Sequence, residues 1–472
     1  MTSHSSYSQT PQSIGVAQLV DGQRIGRFLI GVIVLGFLCQ IGEGYDLAAA
    51  AYAAVGIAHD WHIGHSLLAP VFSASLFGML FGAPIFGYVG DRYGRRIAII
   101  LCSLFCGITS FATAGATSLH ELIVLRFLTG ICLGGLPTNT ISLMAEYAPA
   151  RVRATLITMM FMGITFGGIV PALVTASAPG ASWTLLFIVG GAMPVAAAVL
   201  SLFWLPESLK FLALRDPANP KLAILARRMR PDLTIEAGAR FVITHKAGRR
   251  FSVRQLFAGK LRWITPLLWL MLITNLMTNF FLNSWMPTLL HISGLSPSQS
   301  AITASMYYVG GVVGGLIVAV ALDRGRLGIV ALYMVLACPA VIWLGVPGAT
   351  PTMLKFAVFL VGVTVLGNQL GMNSVVGLCY PTAIRANGTG WALGMGRVGA
   401  IVGPLIGGRL IHAHLPLQLL FCAPLVPLVV GTVASLMLRP LARDRFGGSG
   451  GDDRPADDLD YSAAQSAQSI PH

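Results

Sequence analysis

Two carboxylates, Glu43 and Asp46, stand three residues apart in an otherwise apolar stretch, so in a helix both point to one face. Their repulsion makes the protonation of each depend on its surroundings, which is the chemistry of proton exchange. Gly44 between them leaves room for a neighbouring helix or a ligand; the plainer alternative is a pair that caps the outer end of its helix. Arg126, in Arg126-Phe-Leu-Thr-Gly130-x3-Gly134-Gly135, must pair or snorkel. It is either a partner for those acids or a side chain reaching the outer surface. Arg397, in Gly394-Met-Gly396-Arg397-Val-Gly399, can grip a carboxylate bidentately or make a structural pairing near the cytoplasmic end of its helix. Asn275, Asn279 and Asn283 recur every four residues and form one polar stripe on a helix of Leu, Met, Phe and Trp. Such a stripe either bonds helix to helix or faces a wet cavity, where it binds hydroxyl or carboxylate oxygens. Phe280 and Trp285 would add aromatic surface, and Asn368, Gln369 and Asn373 form a less regular set placed to face the stripe. The coupling ion these residues imply is the proton; no cofactor and no metal is expected.

The elements that carry these residues are membrane helices. Hydrophobic residues make up 55% of the 472 and charged residues 10%, against roughly 25% in a soluble protein. The mean hydropathy of +0.74 excludes a soluble globular domain. With about 20 apolar residues per crossing, spans are expected near 28–52, 67–90, 96–116, 120–145, 154–175, 183–205, 263–289, 299–322, 327–347, 352–378, 388–411 and 416–438. The 54 glycines suit close helix packing, as in Gly163-x3-Gly167-Gly168 and Gly310-Gly311-x2-Gly314-Gly315.

The net charge of +13 is a topology signal and not a nucleic-acid footprint, because the basic residues alternate by loop. Arg24 and Arg27 precede the first span. Arg92, Arg95 and Arg96 follow the second, Arg151 and Arg153 the fourth, Arg324 and Arg326 the eighth, Arg385 the tenth, and Arg439, Arg443 and Arg445 the last. The intervening loops around 59–65, 117–121, 176–182 and 291–299 contain no Lys or Arg. Both termini and the long polar stretch 206–262 are therefore expected in the cytoplasm. The resulting division is 1–27, a six-helix half 28–205, the loop 206–262, a second half 263–438, and a tail 439–472 expected to be disordered from Phe446 onward. No removable signal peptide is read at the start.

An internal repeat supports two halves. Tyr147-Ala-Pro149-Ala-Arg151-Val-Arg153-Ala154 leads to Gly167-Gly168-Ile-Val-Pro171, and Tyr380-Pro381-Thr-Ala-Ile-Arg385-Ala386 leads to Ile401-Val402-Gly403-Pro404, about 233 residues later. Gly394-x-Gly396-x2-Gly399 matches a dinucleotide fingerprint by chance, since no strand precedes it. Asn387-Gly-Thr389 matches a glycosylation sequon on the cytoplasmic side, also by chance. The seven cysteines all fall in apolar segments and read as structural thiols.

The loop Gly87-Tyr88-Val89-Gly90-Asp91-Arg92-Tyr93-Gly94-Arg95-Arg96 resembles the signature between the second and third helices of the major facilitator superfamily. Asp323-Arg324-Gly325-Arg326 is a reduced copy of it. Within that superfamily the chain resembles the bacterial aromatic acid/proton symporters over nearly all of 25–440. The likeness is carried by Glu43-Gly44-Tyr45-Asp46, Glu146-Tyr147-Ala-Pro149, Asn283-Ser-Trp285-Met-Pro287-Thr288 and Tyr380-Pro-Thr-x2-Arg385-x2-Gly388-x-Gly390-Trp391-x2-Gly394-x-Gly396-Arg397. In that family the first-span motif is usually Asp-Gly-x-Asp, so Glu43 departs by one methylene and Asp46 is the firmer carry-over.

The resemblance implies an all-α polytopic inner-membrane protein of 12 transmembrane helices in two pseudo-symmetric halves. It implies a non-enzymatic symporter, a monomer, that imports benzoate, a hydroxybenzoate or a related acid. Asp46, Glu43 and Arg126 would couple protons. Gly90, Asp91, Arg92, Gly94, Arg95, Arg96, Asp323 and Arg324 would gate, with the Asp91 loop latching the outward-open state. Pro206-Glu207-Ser208-Leu-Lys210-Phe211 also resembles sugar porters. A porter for sugars or other organic acids, a proton-driven exporter, and a ligand sensor derived from a transporter remain alternatives; no nucleophile–base or metal constellation points to a membrane enzyme.

Overall fold

The computed structural model describes residues 13–178, 180–235, 239–243, 252–324, 328–381 and 384–446. A strand β1 (Ser13–Gly15) and a short helix α1 (Val16–Asp21) precede the first span, α2 (Arg27–Asp60). The first half continues through α3 (Ala69–Tyr93), α4 (Arg95–Ala114), α5 (Leu119–Tyr147), α6 (Arg153–Ser177) and α7 (Thr184–Trp204). The polar connection holds α8 (Leu209–Arg215), α9 (Pro220–Met229), β2 (Arg240–Val242) and a 3-10 turn at Val253–Phe257. The second half comprises α10 (Leu261–Ile292), α11 (Pro297–Asp323), α12 (Gly328–Leu344), α13 (Pro351–Val361), α14 (Gly367–Cys379), α15 (Arg385–His412), α16 (Leu417–Cys422) and α17 (Leu425–Phe446). A five-residue π-helical turn, Gly362–Leu366, joins α13 and α14 into one crossing. Ten of the described helices are long and apolar enough to cross a membrane; α12 is shorter, and Arg385, Arg397 and Arg409 interrupt α15. This is a multi-pass membrane protein. The tail beyond Phe446 lies outside the described residues, as do residues 325–327 and the side chain of Asp323; 439–446 continue α17 as helix.

Local chemistry sets the helix ends. Ser118 accepts from the Glu121 N–H, and Ser296 and Gln299 cap each other reciprocally ahead of Pro297. A single residue, Gly94, turns α3 into α4 at φ +110°, a conformation closed to most side chains.

The repeat is visible in how backbones touch. Gly163 and Gly167 of α6 press on the carbonyls of Phe37 and Ile41 in α2; Gly399 and Gly403 of α15 press on those of Ile273 and Met277 in α10. Each member of the second set lies 236 positions after its counterpart (163 to 399). Likewise Gly78 and Gly82 meet Phe127 and Ile131, and Gly310 and Gly314 meet Phe359 and Val363, 232 positions on (78 to 310). The glycine runs are therefore packing surfaces, as small residues are in membranes where lipid is as apolar as the helix.

One large buried cluster holds Tyr52, Ile57, Phe72, Trp285, Leu289, Tyr307 and Tyr308, so it draws on both halves. It lies toward the face that carries His59, His62, His65, His291, His412 and His414. There Phe72 meets Trp285 edge-on at 5.1 Å, the Ser73 hydroxyl donates to the Ile401 carbonyl at 2.8 Å, and Gly168 abuts the Tyr308 ring. Toward the opposite, basic face the buried clusters separate: one draws on the first half, the other on the second. The halves are thus sealed together on the histidine face and part toward the basic face.

The connection between the halves is divided too. β1 pairs in parallel with β2 (Ser13 opposite Arg240, Gly15 opposite Val242), and α1, α8 and α9 pack beneath the first half. The 3-10 turn belongs to the second half, where Thr265 donates to the Leu256 carbonyl at 2.7 Å.

Candidate functional site

Glu43 and Asp46 lie at the middle of the 34-residue α2, so they do not cap its outer end. The Arg126 Nη1 donates to Asp46 Oδ1 at 2.8 Å and Nη2 to the Asp46 carbonyl at 3.2 Å. Both side chains are 1% exposed. Arg126 therefore does not snorkel; it is inside the first half, with the Phe187 ring 5.9 Å from its guanidinium. Close backbone packing makes this depth possible. A β-carbon on Gly44 would fall 1.9 Å from the Ile164 carbonyl oxygen, so this glycine admits α6 and not a ligand. The Tyr45 hydroxyl donates to the Leu186 carbonyl at 2.8 Å and fixes α2 against α7. Asp46 Oδ2 and Arg126 Nε have no hydrogen-bond partner. A buried pair tied by one side-chain bond is costly to keep dry.

Glu43 goes elsewhere. It is 3% exposed, with Oε2 unpartnered, and it lies in electrostatic reach of Arg397 from the other half without touching it. Arg397 sits at the middle of α15 and is half-buried, not near the end of that helix. The two acids of one motif thus serve different partners: Asp46 within its half, Glu43 across the junction. By the 236-residue repeat the counterpart of Glu43 is Asn279 and that of Asp46 is Leu282; by the 232-residue repeat that of Arg126 is Val358. The ion pair belongs to the first half alone.

The asparagine stripe is mostly spent on neighbouring helices. Asn279 accepts from the Tyr307 hydroxyl at 2.8 Å and Asn283 from that of Tyr308 at 2.7 Å. Asn275 donates to Gln369 at 2.6 Å and keeps its own oxygen unpartnered; Gln369 in turn donates to Asn373 at 3.4 Å. The π turn just before Asn368 and Gln369 rotates that part of the crossing, a distortion frequent at functional sites. Asn368 is fully buried, its amide against the Met372 sulfur at 3.7 Å and its own oxygen unpartnered. Trp285 is also 0% exposed. It donates to the Pro404 carbonyl at 3.0 Å and packs in the seal of the histidine face, offering no surface to a ligand. Phe280 stands at the junction with Leu47, Leu76, Met79, Ala400 and Ile401.

The Asp91 segment is held by its own half and by Glu207 at the start of the connection that follows it. Arg95 binds Asp91 and reaches Asn139 at 3.3 Å, while Asn139 donates to the Phe86 carbonyl at 3.0 Å. Arg96 binds the Leu202 carbonyl, and its backbone N–H donates to Glu207 at 3.2 Å. A β-carbon on Gly90 would strike Asn139, and one on Gly94 would strike Glu207. Arg92 and Arg324 are exposed. Tyr307, Tyr308 and Asn139 escaped the sequence reading, since none stands out by type or spacing; Cys106 and Cys132, read as structural thiols, lie in electrostatic reach of Asp46.

The family model described as Major Facilitator Superfamily matches residues 36–376 and 268–458. The chain is 34% identical over 429 residues to the 4-hydroxybenzoate transporter PcaK of Pseudomonas putida, covering 90% of this chain and 96% of that one. It is 34% identical over 431 residues to a gallate transporter of the same species, covering 90% and 94%. Among solved structures, the partially occluded inward-open xylose transporter XylE of E. coli superposes with a TM-score of 0.67 at 16% identity over 88% of this chain and 98% of that one, a likeness of fold. The chain belongs to the major facilitator superfamily, alongside these aromatic-acid transporters within it.

Proposed function

We propose that this protein imports an aromatic carboxylate with protons across the bacterial inner membrane by alternating access, with the basic face and both termini in the cytoplasm. The observation that carries the reading is Arg397: a half-buried cation at mid-membrane, facing an acid it does not touch. Relatives named for 4-hydroxybenzoate, gallate and benzoate supply the substrate class.

In the proposed cycle each acid that takes a proton frees an arginine. Protonation of Asp46 breaks its bond to Arg126 and loosens α2 from α5. Protonation of Glu43 leaves Arg397 to the substrate carboxylate, with the ring against Phe280 and its substituents toward Asn275, Gln369 and Asn373. An anion moving inward opposes the membrane potential by ~2.3 kcal/mol per charge per 100 mV; one cotransported proton cancels that term. On the cytoplasmic side both acids give up their protons: Asp46 regains Arg126, and Glu43 competes for Arg397 again, which expels the anion. The shape described above, sealed on the histidine face, corresponds to the inward-facing end of this cycle.

The test is uptake of labelled benzoate, 4-hydroxybenzoate and gallate into proteoliposomes, with and without an inward proton gradient. Gradient-stimulated accumulation of one acid is expected, and Arg397→Gln should raise the half-saturating concentration about 10- to 100-fold, as lost charge-assisted hydrogen bonds predict. Gradient-driven efflux would make the protein an exporter; no movement of any acid through folded protein would overturn the reading.

A further inference from the structure

A cavity lies away from the junction of the halves, between the end of α3 and α8, with a volume of about 730 Å³. That is within the roughly 300–1,000 Å³ of ordinary ligand pockets. It is lined by Arg92, Ser208, Lys210, Phe211, Leu214 and Arg215, together with Asp91, Arg95 and Glu146. The acids in this wall are already engaged: Asp91 with Arg95, and Glu146 with the Ser208 hydroxyl. Arg92, Lys210 and Arg215 are exposed and form no ion pair among the described residues. Four cations and two acids thus share the wall, with Glu146 in electrostatic reach of Lys210, and the cavity keeps a net positive charge.

Its depth is marked by aromatic side chains. Tyr88 and Tyr93 at the end of α3 are 61% and 54% exposed, and Phe203 and Trp204 at the end of α7 are 71% and 67% exposed. Exposed Tyr and Trp gather where hydrocarbon meets headgroups. A cavity between these ends sits at headgroup level, with Phe211 and Leu214 offering apolar wall beside the cations. On the proposed orientation, on which this inference rests, that level belongs to the cytoplasmic leaflet, where anionic lipids concentrate.

We propose that this cavity binds the phosphate of an anionic membrane lipid, bridging α8 to the Asp91 segment through Arg92, Lys210 and Arg215. A free phosphate anion offers the same oxygens but no acyl chains for the apolar side of the site. Occupancy ties α8 to the loop beside Arg95 and Arg96, and so holds the gating segment in its own half, as described here.

The experiment is native mass spectrometry of the delipidated full-length protein titrated with phosphatidylglycerol, phosphatidylcholine or inorganic phosphate. Phosphatidylglycerol should bind saturably, and Lys210→Gln with Arg215→Gln should weaken it by about 25-fold, roughly fivefold per basic residue removed. Arg228→Gln with Arg262→Gln, which removes two exposed cations elsewhere, should change binding less than about twofold on the same scale. Equal losses in the two double variants would overturn the proposal, as would phosphatidylcholine binding as tightly as phosphatidylglycerol. Inorganic phosphate that binds alone and displaces the lipid would overturn the lipid assignment. Because the readout is lipid bound and not acid moved, it is decided apart from the uptake assay.

Discussion

The Asp46–Arg126 bond decides how the first half stores charge out of water. Removing one partner of such a buried pair strands the other, at a cost of about 3–5 kcal/mol. Arg126→Gln is therefore expected to lower thermal stability more than Asp46→Asn, because a lone carboxylate is harder to bury than an amide-contacted guanidinium that still reaches the Asp46 carbonyl and the Phe187 ring. Asp46→Asn combined with Arg126→Gln should recover most of the stability lost by Arg126→Gln. Neither Asp46→Asn nor the double variant should accumulate substrate against a gradient, as read by proteoliposome uptake beside thermal unfolding. Accumulation at the unsubstituted level by Asp46→Asn would remove that carboxylate from the coupling step. Glu43 has a different task, since its pseudo-equivalent in the second half, Asn279, is neutral and satisfied by Tyr307.

At the scale of elements, α2 is the helix that must hold both acids and still lie against α6 with almost no gap. Gly36 and Gly44 separate two kinds of tightness on that face. A β-carbon at Gly36 would meet the Met160 side chain at 3.0 Å, and a methionine can move aside. One at Gly44 would meet the Ile164 backbone at 1.9 Å, which cannot. Gly44→Ala should therefore cost at least the ~1–3 kcal/mol of ordinary overpacking, and Gly36→Ala clearly less. Thermal unfolding in one lipid composition gives the order, and equal losses would mean that α2 and α6 are not locked at Gly44. The π turn in the tenth crossing is the matching irregularity of the second half, placed where Gln369 bonds Asn275.

At the scale of the whole molecule, the seal on the histidine face holds the halves together. Its centre is the Phe72–Trp285 contact, with Gly407 and Gly408 admitting the indole. An aromatic pair of this kind contributes about 0.5–1.5 kcal/mol beyond its buried area. Trp285→Ala should shift the population toward the outward-open form by about 2- to 13-fold. The measurement is labelling of Ser73→Cys by a membrane-impermeant thiol reagent applied to the histidine face. Faster labelling in the Trp285→Ala background is expected; an unchanged rate would place the seal elsewhere.

Composition and loop charge were enough to establish a multi-pass helical protein in two halves, because the cost of burying backbone and charge in lipid leaves so few arrangements. The spacing of Glu43 and Asp46, the lone Arg126 and the lone Arg397 marked the site for the same reason: ionisable groups are rare at that depth. Which of them meet was decided only by the tertiary structure. Spacing along one helix cannot say that Asp46 turns to α5 while Glu43 looks across to α15, since that depends on how closely glycines let neighbouring backbones approach. Nor could side-chain type tell an exposed group from a buried one: Asn368 and Trp285 look like ligand contacts in sequence, yet both are 0% exposed, Trp285 bonded to the Pro404 carbonyl and packed on Phe72. Periodicity fixes a face, and only the partner helix determines whether that face meets protein or water.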